Sequence, residues 1–489
     1  MRTILSIYVS HNKQFINYYF FTFKGLIVKK RFKTISVGLF LILLTLMTPA
    51  QSSTTKIQSG QGVFTEDWFT NSINHVNTTF WDTVNKGYFL SVDQNGTPVL
   101  TSKTIIDYDS FIELYLSMYT EFKNQTYITK AESLVSYLQK FLFDNESYLQ
   151  DLNADWQPIG NSYFSLPYIT LLLDDYTSLY NITQNTAYLN ECVKLYNFIY
   201  TYFFDTANWG FFTNLDMSKN PVYGYARSPG YYMDFAESLL LLFEVTNNQT
   251  YLLNGLNIIN TTITLAYKDS LGYFYTFFNN NNNTAPVTDY RVYLQMKILR
   301  TLLDYLTSKI VNLPTSYKLL FSKAFNNTLI SLESSGIKND YYLIYSFNQY
   351  GNPIDSTEYF STQIGILYLY KTMEKNNWIL TNLENKVLNN SFDMFTKFYN
   401  QQNKLFSTSD RSTTYQFGSN LDGLRGILNL QQFFSTNANY SIFGINGFKP
   451  NTTTSVSLII TNNLNFDISF LVFSFITAVC IRNFKRKHQ

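Results

Sequence analysis

The feature that most constrains this chain is a repeat. A short aromatic segment returns six times, as Gly87-Tyr88-Phe89, Ser147-Tyr148-Leu149, Gly210-Phe211-Phe212, Gly272-Tyr273-Phe274, Tyr341-Tyr342-Leu343-Ile344 and Lys404-Leu405-Phe406. The spacing is roughly 55 to 70 residues, a period that marks a repeat architecture. Turn residues flank several copies, such as Asp93-Gln94-Asn95-Gly96 and Gln349-Tyr350-Gly351-Asn352-Pro353, so each copy reads as a brief β-excursion.

Between excursions the pattern is helical, and it alternates between two kinds. One kind is apolar nearly all round, which marks a buried helix. It covers Asp107 to Phe122, Ser162 to Tyr180, Tyr231 to Thr246, Asp289 to Thr307, Thr357 to Met373 and Gly418 to Phe434. The other is amphipathic, with apolar residues three and four apart. It covers Phe64 to Phe80, Tyr127 to Phe143, Ala187 to Phe204, Tyr251 to Tyr267, Thr315 to Leu332 and Leu380 to Tyr399. A helical hairpin of this length cannot bury its own face and must stack on its neighbours. Six hairpins with all-apolar inner helices predict closure into an all-α (α/α)6 toroid over residues 63–440.

The repeating unit resembles the six-hairpin glycosidase-like superfamily. The nearest likeness is to N-acylglucosamine 2-epimerase-like and α-mannanase-like chains. Thr79-Phe80-Trp81-Asp82 before Gly87-Tyr88-Phe89 resembles the epimerase-type opening, and Asp234-Phe235-Ala236-Glu237 resembles an inner helix of either group. Asp107-Tyr108-Asp109 is similar to the adjacent-acid motif of the mannanases, except that its acids stand one residue apart. The resemblance implies a carbohydrate substrate or ligand in a central cavity.

Composition then narrows the chemistry. The chain has 489 residues and three histidines, His11, His75 and His488, with His75 alone inside the repeat. The two-histidine mechanism that the epimerase resemblance implies therefore cannot operate. Cysteine is limited to Cys192 and Cys480, and Cys192 reads as a buried thiol. A Ser-His-Asp triad and a His-ligated metal site fall with the histidines. No dinucleotide or phosphate-loop fingerprint is present, so no cofactor and no metal is expected. A net charge of +2 gives no basic field for nucleic acid.

Carboxylates remain for acid–base work. They recur where inner helices begin, where a helix N-terminus favours an anion. Asp109, Asp234, Asp289 and Glu358 are the expected catalytic acids, two of which would act as acid and base in glycoside hydrolysis. Trp156, Tyr163, Arg227, Tyr231, Tyr290, Arg291, Tyr359, Asp422 and Arg425 are the expected sugar contacts, by ring stacking and guanidinium pairing. Each acid at a helix start also reads as a cap. Asp174-Asp175, well inside its helix, reads as structural, and His75 as a surface group on an outer helix.

The ends carry a different signal. Lys29, Lys30, Arg31 and Lys33 precede the apolar run Ile35 to Met47 and the small-residue stretch Thr48-Pro49-Ala50. This predicts a secretory signal or signal anchor over residues 1–50, with a linker over 51–62. A Thr/Asn-rich spacer at 441–467 leads to the apolar run Ile468 to Ile481 and a basic tail, the stop-transfer order of a single-pass segment at 468–489. Glycosylation acceptors stand at Asn77, Asn95, Asn124, Asn145, Asn181, Asn248, Asn260, Asn282, Asn326, Asn389, Asn439 and Asn451. The expectation is a carbohydrate-active protein of the secretory pathway or cell surface, working as a glycoside hydrolase. A non-catalytic glycan- or protein-binding toroid and a divergent sugar isomerase are the alternatives.

Overall fold

The computed structural model describes residues 64–160, 162–222, 227–277, 290–338, 342–348, 350–410, 412, 414–430 and 443. The two ends, with the signal, linker, spacer and single-pass segments, lie outside the described residues. So do Asp289, Asn282, Asn439 and Asn451. Among the described residues no helix is long and apolar enough to cross a membrane.

Six inner helices are present: α2 (Ile105–Phe122), α4 (Leu166–Thr183), α6 (Pro229–Thr246), α8 (Val292–Thr307), α10 (Phe360–Lys375) and α13 (Phe417–Leu430). The outer set is α1 (Glu66–Phe80), α3 (Thr126–Leu138), α5 (Thr186–Phe198), α7 (Gln249–Ala266), α9 (Thr315–Gly336) and the broken pair α11 (Asn382–Asn389) and α12 (Ser391–Phe398). Each inner helix packs on the next, and α13 packs back on α2, so the ring closes. The last inner helix also packs on the first outer one, which completes the sixth hairpin.

The two ends of the ring are built from different chemistry. At one end the first three inner helices turn sharply into outer ones. Lys123, Gln184 and Asn247 take left-handed backbone conformations there. An Asn follows each, and Asn185 and Asn248 accept from the N–H groups of Ala187 and Thr250 to cap the next helix. An αL stop followed at once by an Asn cap makes a compact reversal. Asn124, in the first of these turns, accepts from the Thr126 N–H and donates to Glu66 at 2.8 Å. A glycan on Asn124 would be attached through the nitrogen that makes that second bond.

At the other end all six aromatic segments form hairpins with the residues that end the preceding outer helix. The pairs are Trp81 with Tyr88, Leu142 with Tyr148, Phe204 with Phe211, Tyr267 with Phe274, Ile337 with Leu343 and Tyr399 with Phe406. A second set of pairings links neighbouring excursions. Lys103-Thr104 pairs with Asp151-Leu152, Phe164-Ser165 with Asn214-Leu215, Tyr290-Arg291 with Ser346-Phe347, Tyr359 with Ser409, and Tyr415-Gln416 with Ser91-Val92. The strands entering α2, α4, α8, α10 and α13 are thus each sealed by the next excursion.

One side chain position locks this arrangement. The fourth residue of an inner helix reaches the backbone of the aromatic strand behind it. Gln295 accepts from the Phe274 N–H at 3.0 Å and donates to its C=O at 2.7 Å. Gln363 does the same to Leu343 at 2.9 and 2.8 Å, and Asn420 to Phe406 at 2.7 and 3.3 Å. The Tyr232 hydroxyl serves both groups of Phe211 at 2.8 Å, and the Tyr108 hydroxyl accepts from the Tyr88 N–H at 3.4 Å. In α4 this position is Ile169, so that helix lacks the clamp. Strands of two residues have few ladder bonds, and these side chains satisfy groups that burial would otherwise strand.

Candidate active site

The inner helices are buried except along one stripe each. Tyr168, Leu171, Asp174 and Ser178 on α4, Tyr293, Lys297, Arg300 and Asp304 on α8, and Gly418, Asp422, Arg425 and Asn429 on α13 are the accessible positions. Spacings of three and four place each stripe on a single helix face. Half of the Arg300 side chain is open to water, although the residue is enclosed by protein. Accessible side chains on the inward faces of helices that close into a ring line an axial cavity.

The stripes align in layers. Asp234, Lys297 and Asp422 are each the sixth residue of their helices. Glu113, Asp174, Glu237, Arg300, Tyr368 and Arg425 are each the ninth. The layers are stitched by ion pairs. Lys297 pairs with Asp234 in the sixth layer. Arg300 holds Glu237 with bonds of 2.6, 2.9 and 3.1 Å, and Arg425 holds Glu113 in the ninth. Arg425 also reaches up to Asp422 at 3.1 Å.

Beside Arg425 lies a cluster of carboxyls of which, among the described residues, only Asp422 has a cation partner. Asp109 of α2 faces Asp175 of α4, carboxyl toward carboxyl, and neither oxygen of Asp175 has a hydrogen-bond partner. Burial pushes Asp109 up to about 7, against partial relief from Arg425 and Lys297. Burial, then the Asp109 charge, holds Asp175 well above the carboxylate range. Asp422 is pushed up to about 7 by burial and by Asp109. Asp174 is raised by burial and by Glu237. Above them, Asp107 is buried and also raised, first by burial. One of its oxygens has no partner, while the backbone N–H of Gly418 serves the carboxyl. Groups so perturbed in a cavity are where acid–base function concentrates.

The opposite side of the mouth is aromatic. Tyr168, Tyr231 and Tyr293 begin three successive inner helices, and the Tyr231 and Tyr293 hydroxyls lie within electrostatic reach of each other. Tyr293 stacks on Tyr345 at 6.4 Å between centroids, and Tyr345 lies 4.9 Å from Tyr359. The Arg291 guanidinium sits over Tyr345 at 5.6 Å. All five rings are half-buried.

The structure therefore gathers Asp109, Asp234, Tyr231, Arg291, Tyr359, Asp422 and Arg425 around the axis. It directs other expected residues elsewhere. Both oxygens of Glu358 are taken, by Lys338 at 2.8 Å and Lys397 at 2.6 Å, from outer-helix ends, so it is a strut between hairpins. Arg227 is fully buried, ion-paired with Asp205 and bonded to the Trp209 carbonyl. Trp156 wedges against Tyr108, Tyr137 and Phe141, and its indole N–H donates to Asn85 at 2.8 Å. Tyr290 is buried among Tyr273, Tyr275 and Phe347. Tyr163 holds Gln150 through its backbone carbonyl at 2.8 Å, beside the strand that enters α4. His75 is half-buried on α1, with Nε2 on the Asn403 carbonyl at 2.8 Å.

Asp175, which reads from the sequence as structural, faces Asp109 from the neighbouring inner helix. The available signal was two adjacent acids inside an otherwise apolar helix. Tyr168, Tyr293 and Tyr345 were also missed. Two surface clefts, of about 380 Å³ beside His75 and about 460 Å³ beside Glu244, lie outside the acid cluster. Among the described residues no group of His, Cys, Asp and Glu is arranged to hold a metal.

The fold has clear relatives among solved structures. The cellobiose 2-epimerase of Bacillus thermoamylovorans is 14% identical, with a TM-score of 0.60, over 74% of this chain and 98% of that one. A D-mannose isomerase is 13% identical, with a TM-score of 0.59, over 76% and 98%. An α-mannanase of Bacteroides thetaiotaomicron is 11% identical, with a TM-score of 0.58, over 75% and 95%. These are six-hairpin (α/α)6 proteins, and at such identity the likeness establishes the shared fold. No protein-family model matches the sequence, and no curated protein does.

Proposed function

We propose that this (α/α)6 toroid is a carbohydrate-active enzyme, a glycoside hydrolase whose carboxyls work in the axial cavity. The observation that carries the reading is the meeting of Asp109, Asp175 and Asp422, from three helices, beside Arg425. The Asp109–Asp175 pair holds a proton near neutrality and serves as the general acid. Asp422 keeps a guanidinium partner at 3.1 Å and serves as the base that activates water. The tyrosines opposite stack on the sugar ring. The relatives named as an epimerase, an isomerase and a mannanase agree with a sugar substrate.

An isomerase reading draws on the Tyr231–Tyr293 hydroxyl pair, which could move a proton at a sugar carbon. The two readings part in the product. The purified chain is incubated with a panel of glycosides and free sugars. Hydrolysis that falls at least about 10³-fold in Asp109→Asn and in Asp422→Asn supports the acid pair. Hydrolysis that survives both substitutions refutes it. Binding without any turnover would assign the toroid to glycan recognition. The proposal places the protein in the secretory pathway, at the surface or outside the cell, with a membrane tether at residues 468–489. The remaining acceptor asparagines are proposed glycan sites.

A further inference from the structure

Three cations of the cavity are committed to carboxylates. Lys297 is paired with Asp234, Arg300 with Glu237, and Arg425 with Glu113 and Asp422. Lys103, the cation nearest Asp107 on the strand entering α2, is fully buried in its pair with Asp82 at 2.9 Å. Asp107, Asp109, Asp174 and Asp175 form no ion pair among the described residues. Asp107 is 1% exposed, and one of its carboxyl oxygens has no hydrogen-bond partner. Asp175 is 2% exposed, neither of its oxygens has a hydrogen-bond partner, and its charged neighbours are the carboxyls of Asp109 and Asp174. A buried acid without a cation costs free energy unless it keeps its proton or meets a positive guest.

The aromatic wall fits such a guest. Tyr168 lies within electrostatic reach of Asp107 and Asp151, and Tyr231 and Tyr293 stand beside it. The faces of aromatic rings attract an ammonium group. An anionic sugar would meet the carboxyls of Asp107, Asp109, Asp174 and Asp175, none of which has a cation partner among the described residues.

We propose that the ligand of this cavity is an amino sugar, a 2-amino-2-deoxyhexose residue with a free ammonium, seated between Asp107 and Asp109 on one side and the tyrosines on the other. The proposal rests on the reading that the cavity takes sugar, and it names the class of sugar. On binding, the ammonium takes over the role of the protons that burial keeps on the carboxyls. Those protons pass to solvent.

The test is calorimetry on the full chain at pH 7, with oligosaccharides of glucosamine, of N-acetylglucosamine and of glucose, matched in length. The free-amine series should bind at least tenfold tighter than the other two. Its heat should change between buffers of different ionisation enthalpy, because protons are released. Asp107→Asn should erase the preference while leaving glucose oligosaccharide binding in place. Asp109→Asn, on the same side of the seat, provides a second variant, read by the loss of the free-amine preference in binding, should Asp107→Asn fail to fold. Equal affinity across the three series overturns the amino-sugar proposal and leaves the sugar reading standing. Binding of none of them, with no turnover of any glycoside, overturns both. Micromolar binding of calcium chloride that blocks the free-amine series would show a metal site instead, and would also overturn the proposal.

Discussion

The clamp at the fourth position of the inner helices gives a sharp test of how the ring is held. Gln363 is fully buried and makes two bonds to one residue, Leu343, at 2.9 and 2.8 Å. Gln363→Met keeps the size but removes both partners. The Leu343 N–H and C=O are then buried without partners, at about 1–3 kcal/mol each. The expected loss is roughly 2–5 kcal/mol. With an unfolding entropy of about 2 cal/mol/K per residue, a domain of this size loses only about 1–1.5 °C per kcal/mol. The melting temperature should fall by roughly 3–7 °C. Gln363→Glu makes the test specific. Protonated Glu can both accept from the N–H and donate to the C=O, so it replaces Gln. Ionised Glu faces the carbonyl with a charge and no donor. The variant should approach the wild type near pH 5 and fall behind it as pH rises, because only its protonated form stabilises the fold. Melts and denaturant titrations at pH 5 and 8 decide the matter. A loss below about 1 kcal/mol in the Met variant, or a Glu variant indifferent to pH, would refute the clamp as a source of stability.

Two further outcomes follow from the charges. Asp109 and Asp422 are raised to about 7 and Asp304 to about 8, so the folded state holds protons that the unfolded chain gives up near 4. Stability contributed by these groups is complete below about 4 and is lost as pH rises through about 7–8, so melting should come earlier at pH 8.5 than at pH 5.5. Glu333, raised to about 7 by burial and by Glu384, adds to this slope, and Glu333→Gln should raise the melting temperature at pH 8.5 but not at pH 4.5. In the wall, Lys103→Met leaves Asp82 buried without its cation and should cost about 3–5 kcal/mol, measured by denaturant unfolding. Asp82→Asn combined with Lys103→Met should recover part of it, since breaking a buried pair costs more than replacing it.

The repeat was legible because its signals are local. A Gly-aromatic turn and an apolar helix announce themselves within a dozen residues, and all six excursions and twelve helical segments stand where those signals put them, the last outer one broken into α11 and α12. The direction of an acid at a helix start is not local. Asp109 and Glu358 carry the same sequence signal, yet one turns to the axis and the other to two lysines of the outer layer. Asp175 was hidden for the converse reason. An acid deep in an apolar helix looks structural until the ring closes and its inward face becomes a cavity wall. Trp156 shows a third limit. An aromatic loop residue suits a sugar or a neighbouring loop equally, and here it fills the space over Gly87, where a Cβ would come within 2.5 Å of its ring.

Closure of the ring has a consequence for how the protein can be cut or changed. An open array of hairpins can lose a unit from one end and still stand, because each unit leans only on its neighbours. Here α13 leans on α2, and no inner helix occupies an end. The six behave like staves under one hoop, so removing any hairpin exposes two apolar faces at once and leaves no smaller version that holds together. New chain ends, by contrast, could be opened at the compact turn after Lys123 without taking a stave away.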